Sequence, residues 1–195
     1  DAPDAAVKSA ISMISQLRVW NAARIAVDNP AVNMGVGINT DNVVTGNIGS
    51  SKRMDFTMIG DGVNLAARLE GSCKTYGAQI IISEYTKSKL KGIYALRELD
   101  RIVVKGKTEP VSIFEVLDFH DEETFPARMD VVGHFSEGLN HYRSTDFDAA
   151  IKSFSAALEA NVNDVPSQLY IERCNLFKNT PPPAGWSGEW VMTEK

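Results

Sequence analysis

Two pairs of residues in this 195-residue chain have the types and spacing suited to holding an anion. Asn64 and Arg68 stand four apart in Gly60-Asp61-Gly62-Val63-Asn64-Leu65-Ala66-Ala67-Arg68, so on a helix they share one face, one turn apart. A guanidinium beside a carboxamide offers a phosphate charge-assisted, forked hydrogen bonds. A helix N-terminus close by adds favourable potential. Val63, Ala66 and Ala67 are expected to take the apolar face. The same spacing is common on solvated helix faces, where an arginine meets a neighbouring carboxylate, and the local pattern alone favours that reading. Lys105 and Lys107 flank Gly106, which lets the backbone bend while the two amines stay near each other; on local evidence a solvated turn is the favoured reading. Gly46-Asn47-Ile48-Gly49 is either a place where a ligand approaches backbone amides or a tight connection.

The elements that must position these groups follow from hydrophobic period and punctuation. Residues 4–28 have apolar positions near period 3.6 and predict a helix, with Pro3 in its first turn and Asn29-Pro30 as its stop. Met34, Val36 and Ile38, a turn at Asn39-Thr40-Asp41-Asn42, and Val43-Val44-Thr45 predict a hairpin. Gly46 to Ser51 reads as a loop. Phe56 to Ile59 reads as a strand ended by Gly60. Asp61 is placed as N-cap of the helix carrying Asn64 and Arg68, which ends at Tyr76-Gly77. Strands are predicted at Gln79–Ser83, Leu96–Leu99, Val103–Lys107 and Val111–Leu117, with a short helix from Ser83 to Leu90. Helices interleaved with strands indicate an α/β or α+β domain.

Composition changes at the acidic, aperiodic stretch Asp118–Asp130, read as a linker. Beyond it Phe135, Leu139 and Tyr142 space one helix, Asp146 begins a second with Ala150, Phe154 and Ala157, and a third runs from Pro166 to Phe177. Gly138, Ala150, Phe154 and Ala157 match the small and large positions of a tetratricopeptide helix pair. Thr180 to Trp186, with three prolines, is expected to be extended. The division is therefore 1–118, a linker at 119–131, a tetratricopeptide-like unit at 132–178 and a Pro/Trp tail at 179–195. A lone repeat cannot bury its own faces, so it must pack on the neighbouring domain, on Trp186 and Trp190, or on another chain.

Lys plus Arg number 20 and Asp plus Glu 25, a net charge of −5. That balance has no electrostatic footprint for nucleic acid or an anionic membrane, and no nucleic-acid partner is expected. Cys73 and Cys174 lie far apart and read as buried thiols in a reducing compartment. No apolar run approaches the ~18 residues of a membrane span. The opening at Asp1, without an initiator Met, reads as a fragment of a longer protein.

Gly35-Val36-Gly37-Ile38-Asn39-Thr40, Val43 to Gly49, Thr57 to Glu70 and Val104-Lys105-Gly106-Lys107-Thr108-Glu109-Pro110, in this order, resemble the class III nucleotide cyclases over residues 1–118. The tail resembles those of bacterial adenylate cyclases. The resemblance implies an α/β (α+β) fold of ferredoxin-like cyclase type, incomplete at the N-terminus, with an α-helical C-terminal unit. It implies formation of cyclic AMP and pyrophosphate from ATP in intracellular signalling, with guanylate cyclase as the alternative. Arg68 matches the arginine that stabilises the pentavalent phosphorus, and Asn64 the asparagine that orients the ribose. Thr57 matches a purine-selecting residue, with Met58 beside it offering backbone contacts. Lys105 matches the lysine on the β and γ phosphates, with Lys107 its neighbour. Mg²⁺ or Mn²⁺, two ions in the family, would be held by aspartates on strands preceding residue 4. None of Asp41, Asp55 or Asp61 is assigned as a metal ligand here, and the chain alone is expected to be inactive. The resemblance further implies a homodimer with active sites at its interface and a cytoplasmic location, on its own or as part of a membrane-anchored protein. The helical tail is left for a protein partner. A different class remains open: a degenerate cyclase half kept as a dimerisation module.

Overall fold

The computed structural model describes residues 2–50, 53–103 and 109–191. They divide into two compact units, Asp1–Lys74 with Ala78–Ile93, and Thr75–Gly77 with Tyr94–Lys195. The architecture is mixed α/β, as expected.

The first unit opens with α1 (Ala2–Ile25), which buries only Val7, Ala10 and Ile14 of its apolar residues. Met13, Val19, Trp20 and Ile25 are half exposed or more, so the expected apolar face is used only along its first half. Past α1, the Asn21 carboxamide bonds both the carbonyl and the N–H of Val32, folding the chain back along the helix. Strand β1 (Val36–Ile38) follows, then β2 (Val44–Ser50), β3 (Arg53–Ile59), α2 (Asp61–Tyr76), β4 (Ile80–Ser83) and the single turn α3 (Glu84–Lys87).

Pairing differs from expectation. β1 does not form a hairpin with residues 43–45; it lies parallel to β4, with Val36 opposite Ile80. The turn-like segment after it is tied elsewhere. Asn39 donates to the Gly62 carbonyl at 3.1 Å and accepts from the Ser83 hydroxyl at 2.6 Å, while the Thr40 and Thr86 hydroxyls meet at 3.0 Å. The hairpin is instead β2 with β3, Gly46 opposite Thr57 and Asn47 opposite Phe56. The segment read as a loop is therefore strand, its small residues set against larger ones on the partner strand, the cross-strand pairing that stabilises a sheet.

α2 buries Leu65, Leu69, Cys73 and Tyr76, a stripe with helical period. Gly77 takes φ +62°, and the Ala78 N–H reaches the Cys73 carbonyl at 3.0 Å, the reversed last turn that favours glycine at a helix end.

In the second unit β5 (Leu96–Val103) pairs antiparallel with β6 (Val111–Val116), and the short β7 (Trp190–Val191) lies parallel to β5. Three helices follow β6: α4 (Arg128–Arg143), α5 (Phe147–Ala160) and α6 (Val165–Asn179). Asp146 and Asp164 cap α5 and α6, accepting from the N–H groups of Ala149 and Ser167. α4 begins within the acidic stretch read as a linker, where Phe119 and Phe125 are buried. The helical core gathers Phe135, Leu139, Tyr142, Phe154, Tyr170 and Cys174, with Trp186 of the proline-rich tail packed against it. A methyl group on Gly138 would stand 2.5 Å from the Phe154 ring, so only glycine lets α4 and α5 approach this closely.

Candidate active site

The candidate site is built at the junction of β3 and α2. The strand ends at Ile59, and the Gly60 carbonyl accepts from the N–H groups of Val63 and Asn64. Asp61 is therefore the first helical residue, not the N-cap; its carboxylate is still placed where it favours the positive end of the helix.

Asn64 is exposed and Arg68 half-buried, one turn apart on α2 and outside its buried stripe. Ala67, expected on the apolar face, is exposed; the helix turns Leu65 and Leu69 inward, and Val63 and Ala66 are half-buried. Thr57 is half-buried opposite Gly46 on the hairpin, and Met58, next to it, is exposed. Adjacent strand residues point to opposite faces. Met58 accordingly shares its face with Phe56 and with their partners across the ladder, Thr45 and Asn47, while Thr57 takes the other. A cleft of about 320 Å³ is lined by Met58, Val63 and Ala66 with Ile38, Thr40 and Asp41; Thr57, Asn64 and Arg68 do not line it. Lys105 and Lys107, with residues 104–107 of the strand expected at Val103–Lys107, lie outside the described residues.

Two residues that the sequence does not single out for this role, Gly37 and Asn39, hold α2 in place. A Cβ on Gly37 of β1 would stand under 3.0 Å from the Ala66 carbonyl and the Glu70 N–H, so strand and helix meet backbone to backbone around the Arg68 turn. Asn39 binds Gly62 in the first turn. The alternation of glycine with valine and isoleucine in Gly35-Val36-Gly37-Ile38 is the sequence signal of the first.

Among the described residues no group of three or more His, Cys, Asp or Glu is able to hold a metal ion, and Asp41, Asp55 and Asp61 form none. The divalent ions implied by the resemblance therefore find no site in these residues. No helix among them is long and apolar enough to cross a membrane.

Residues 3–117 match the model of the adenylate and guanylate cyclase catalytic domain. The chain belongs to this family. It is 34% identical over 172 residues to an adenylate cyclase of Dictyostelium discoideum, "terminal-differentiation specific", across 87% of this chain and 8% of that protein. That alignment runs past residue 117 into the helical segment. An adenylate cyclase of Anabaena cylindrica is 40% identical over 120 residues, 58% of this chain and 24% of the relative. The chain thus spans less than a quarter of the length of either relative. Among solved structures, a bacterial light-regulated adenylyl cyclase superposes with TM-score 0.53 at 27% identity, over 61% of this chain and 35% of the other. The guanylyl cyclase Cya2 superposes with TM-score 0.51 at 35% identity, over 60% and 58%. The cyclase fold expected from the motifs is the fold of this chain.

Proposed function

We propose that this chain supplies the transition-state and ribose-orienting groups of an adenylate cyclase, a lyase converting ATP to cyclic AMP and pyrophosphate. The observation that carries the reading is Asn64 and Arg68, one turn apart on α2, outside its buried stripe, within a domain of the cyclase family. In this reaction the ribose 3′ oxygen attacks the α phosphorus and the pyrophosphate oxygen leaves. Charge builds on the phosphoryl oxygens, and fixed donors aimed at it supply most of the catalysis. Arg68 supplies the guanidinium, Asn64 holds the ribose, Thr57 meets the purine edge beside the Met58 backbone, and Lys105 with Lys107 takes the β and γ phosphates. Alone, the chain is expected to be inactive.

The β2–β3 hairpin supports a homodimer with sites at its interface. Met54, Phe56 and Met58 share one of its faces, and Phe56 is 74% exposed, an apolar patch of the kind that marks association. The contact of Gly138 with Phe154 supports a tetratricopeptide-like helix pair in the tail. We place the protein in the cytoplasm, as a soluble enzyme or the inner part of an anchored one.

A guanylate cyclase is the second reading, favoured by the likeness to the guanylyl cyclase Cya2. The Thr57 hydroxyl accepts from an adenine amino group or donates to a guanine carbonyl, so the two are separated by measurement. In the protein that carries this chain, kcat/KM for ATP should exceed that for GTP with Mg²⁺ or Mn²⁺ by roughly ten- to a hundredfold, the scale of one unpaired polar edge. Equal values, or a preference for GTP, overturn the adenylate assignment.

A further inference from the structure

α2 is one continuous helix, but its last two residues, Thr75 and Tyr76, belong to the second unit, where Tyr76 joins a buried polar cluster that the catalytic reading leaves without a role. The cluster begins with an irregularity in β5. Its register to β6 passes from Glu98 opposite Phe114 to Asp100 opposite Ile113, so Leu99 is an extra residue and Leu99 and Asp100 are both buried. Such a bulge re-aims a side chain and leaves backbone groups of the extra residue unpaired. Here α6 answers both effects. Tyr170 donates its hydroxyl to the Leu99 carbonyl at 3.0 Å, and Arg173, on the same helix face, donates to Asp100 Oδ2 at 2.6 Å.

The same carboxylate oxygen accepts the Tyr76 hydroxyl at 2.5 Å, and Arg173 Nη2 lies 3.4 Å from the Tyr76 oxygen. Asp100 Oδ1 takes the Arg101 N–H at 2.7 Å. The Arg173 guanidinium carbon lies 4.1 Å from the Trp190 ring centre and 4.9 Å from that of Tyr170. Tyr76, Asp100 and Arg173 are each at most 4% exposed. A second buried set fixes the start of α6: Arg97 bonds Glu115 at 2.6 Å and Asp164, the helix cap, at 2.5 Å.

Buried charge pairs are poor stabilisers compared with apolar packing of equal volume, and their best-attested use is to select one register. Tyr76 closes α2 eight residues after Arg68, about 12 Å along the axis, and catalysis is sensitive to ångström-scale displacement. We propose that Tyr76, Asp100 and Arg173 are positioning residues. Through them α6 fixes the C-terminal end of α2, Thr75 and Tyr76, the end of the helix that carries Arg68. The similarity to the Dictyostelium adenylate cyclase, which continues into the helical segment, agrees with this. The inference rests on the cyclase reading for its catalytic consequence, though not for the cluster itself.

The test uses the protein that carries this chain, as wild type, Tyr76→Phe, Arg173→Lys and the double variant. Tyr76→Phe keeps the ring and the Asp100–Arg173 pair and removes only the phenol bond. Expected are a kcat about tenfold lower, a fraction of what an ångström-scale misplacement costs, with KM for the nucleotide within about twofold. The double variant should be no worse than its poorer single, the non-additivity of groups acting as one unit. Amide hydrogen exchange should accelerate in the last two turns of α2 in Tyr76→Phe. Unchanged exchange there, or wild-type kcat in both single variants, overturns the proposal. A wild type inactive on both ATP and GTP contradicts the cyclase reading instead, and the exchange data then decide the positioning claim by themselves.

Discussion

Gly37 of β1 lies against the Ala66 carbonyl of α2 with no room for a methyl group between them. The turn bearing Arg68 therefore rests on the strand through main-chain atoms, which have no rotamers through which to give way. Contact of this kind fixes a helix height more firmly than side-chain packing does.

Gly37→Ala should consequently be costly although alanine is ordinarily the better strand residue. Overpacking against backbone costs about 1–3 kcal/mol, and the helix must lift to relieve it. Urea unfolding should show a loss of that size, together with lower turnover per folded molecule in the protein that carries this chain. A variant equal to wild type in both would mean that β1 and α2 are further apart than described.

The buried charges between strand and helix give a second expectation. Arg97→Ala leaves Glu115 and Asp164 buried with their shared cation gone, a change that costs about 3–5 kcal/mol. Deleting residues 118–195 removes Asp164, Arg173 and the aromatic core together and strips cover from β5, so solubility should fall or the oligomeric state change. A soluble, equally stable chain after the deletion would show the helices to be an independent appendage.

Cysteine chemistry supplies a third. Cys174 is buried in the helical core, and burial pushes its thiol up to about 12; neither cysteine forms a disulfide. The folded thiol stays protonated where an unfolded one, with its ordinary value of 9.0, ionises. Its contribution to stability is thus whole below pH 9 and declines as pH rises through the window up to 12. Labelling of Cys174 by a thiol reagent at pH 8 should proceed only at the rate of unfolding. Rapid labelling of the native protein would contradict this burial.

Much of this organisation was legible in the residues, and the failures have definite causes. Asp146 announced α5, and Tyr76-Gly77 the end of α2, because caps act through local hydrogen bonds. β2 was hidden, because Gly46, Asn47 and Gly49 bring no strand-like side chains and depend on Thr57, Phe56 and Met54 across the ladder. β1 was mispaired, because Asn39 and Thr40 resemble a turn while their side chains bond Gly62, Ser83 and Thr86. Asp100 and Arg173, 73 residues apart, look like surface charges until a bulge turns one of them inward. Asn64 and Arg68 were legible as a pair because their helical spacing is short-range; that Gly37 and Tyr76 hold their helix was not, since those contacts are tertiary.

The central claim is that Arg68 stabilises the transition state. In the protein that carries this chain, steady-state conversion of ATP to cyclic AMP should be measured for wild type and Arg68→Ala alongside thermal unfolding. Arg68→Ala should lower kcat by roughly 10²-fold or more, the scale of losing one preorganised donor, with the melting temperature little changed. A variant that turns over like wild type per folded molecule, or whose loss follows from unfolding alone, would contradict it.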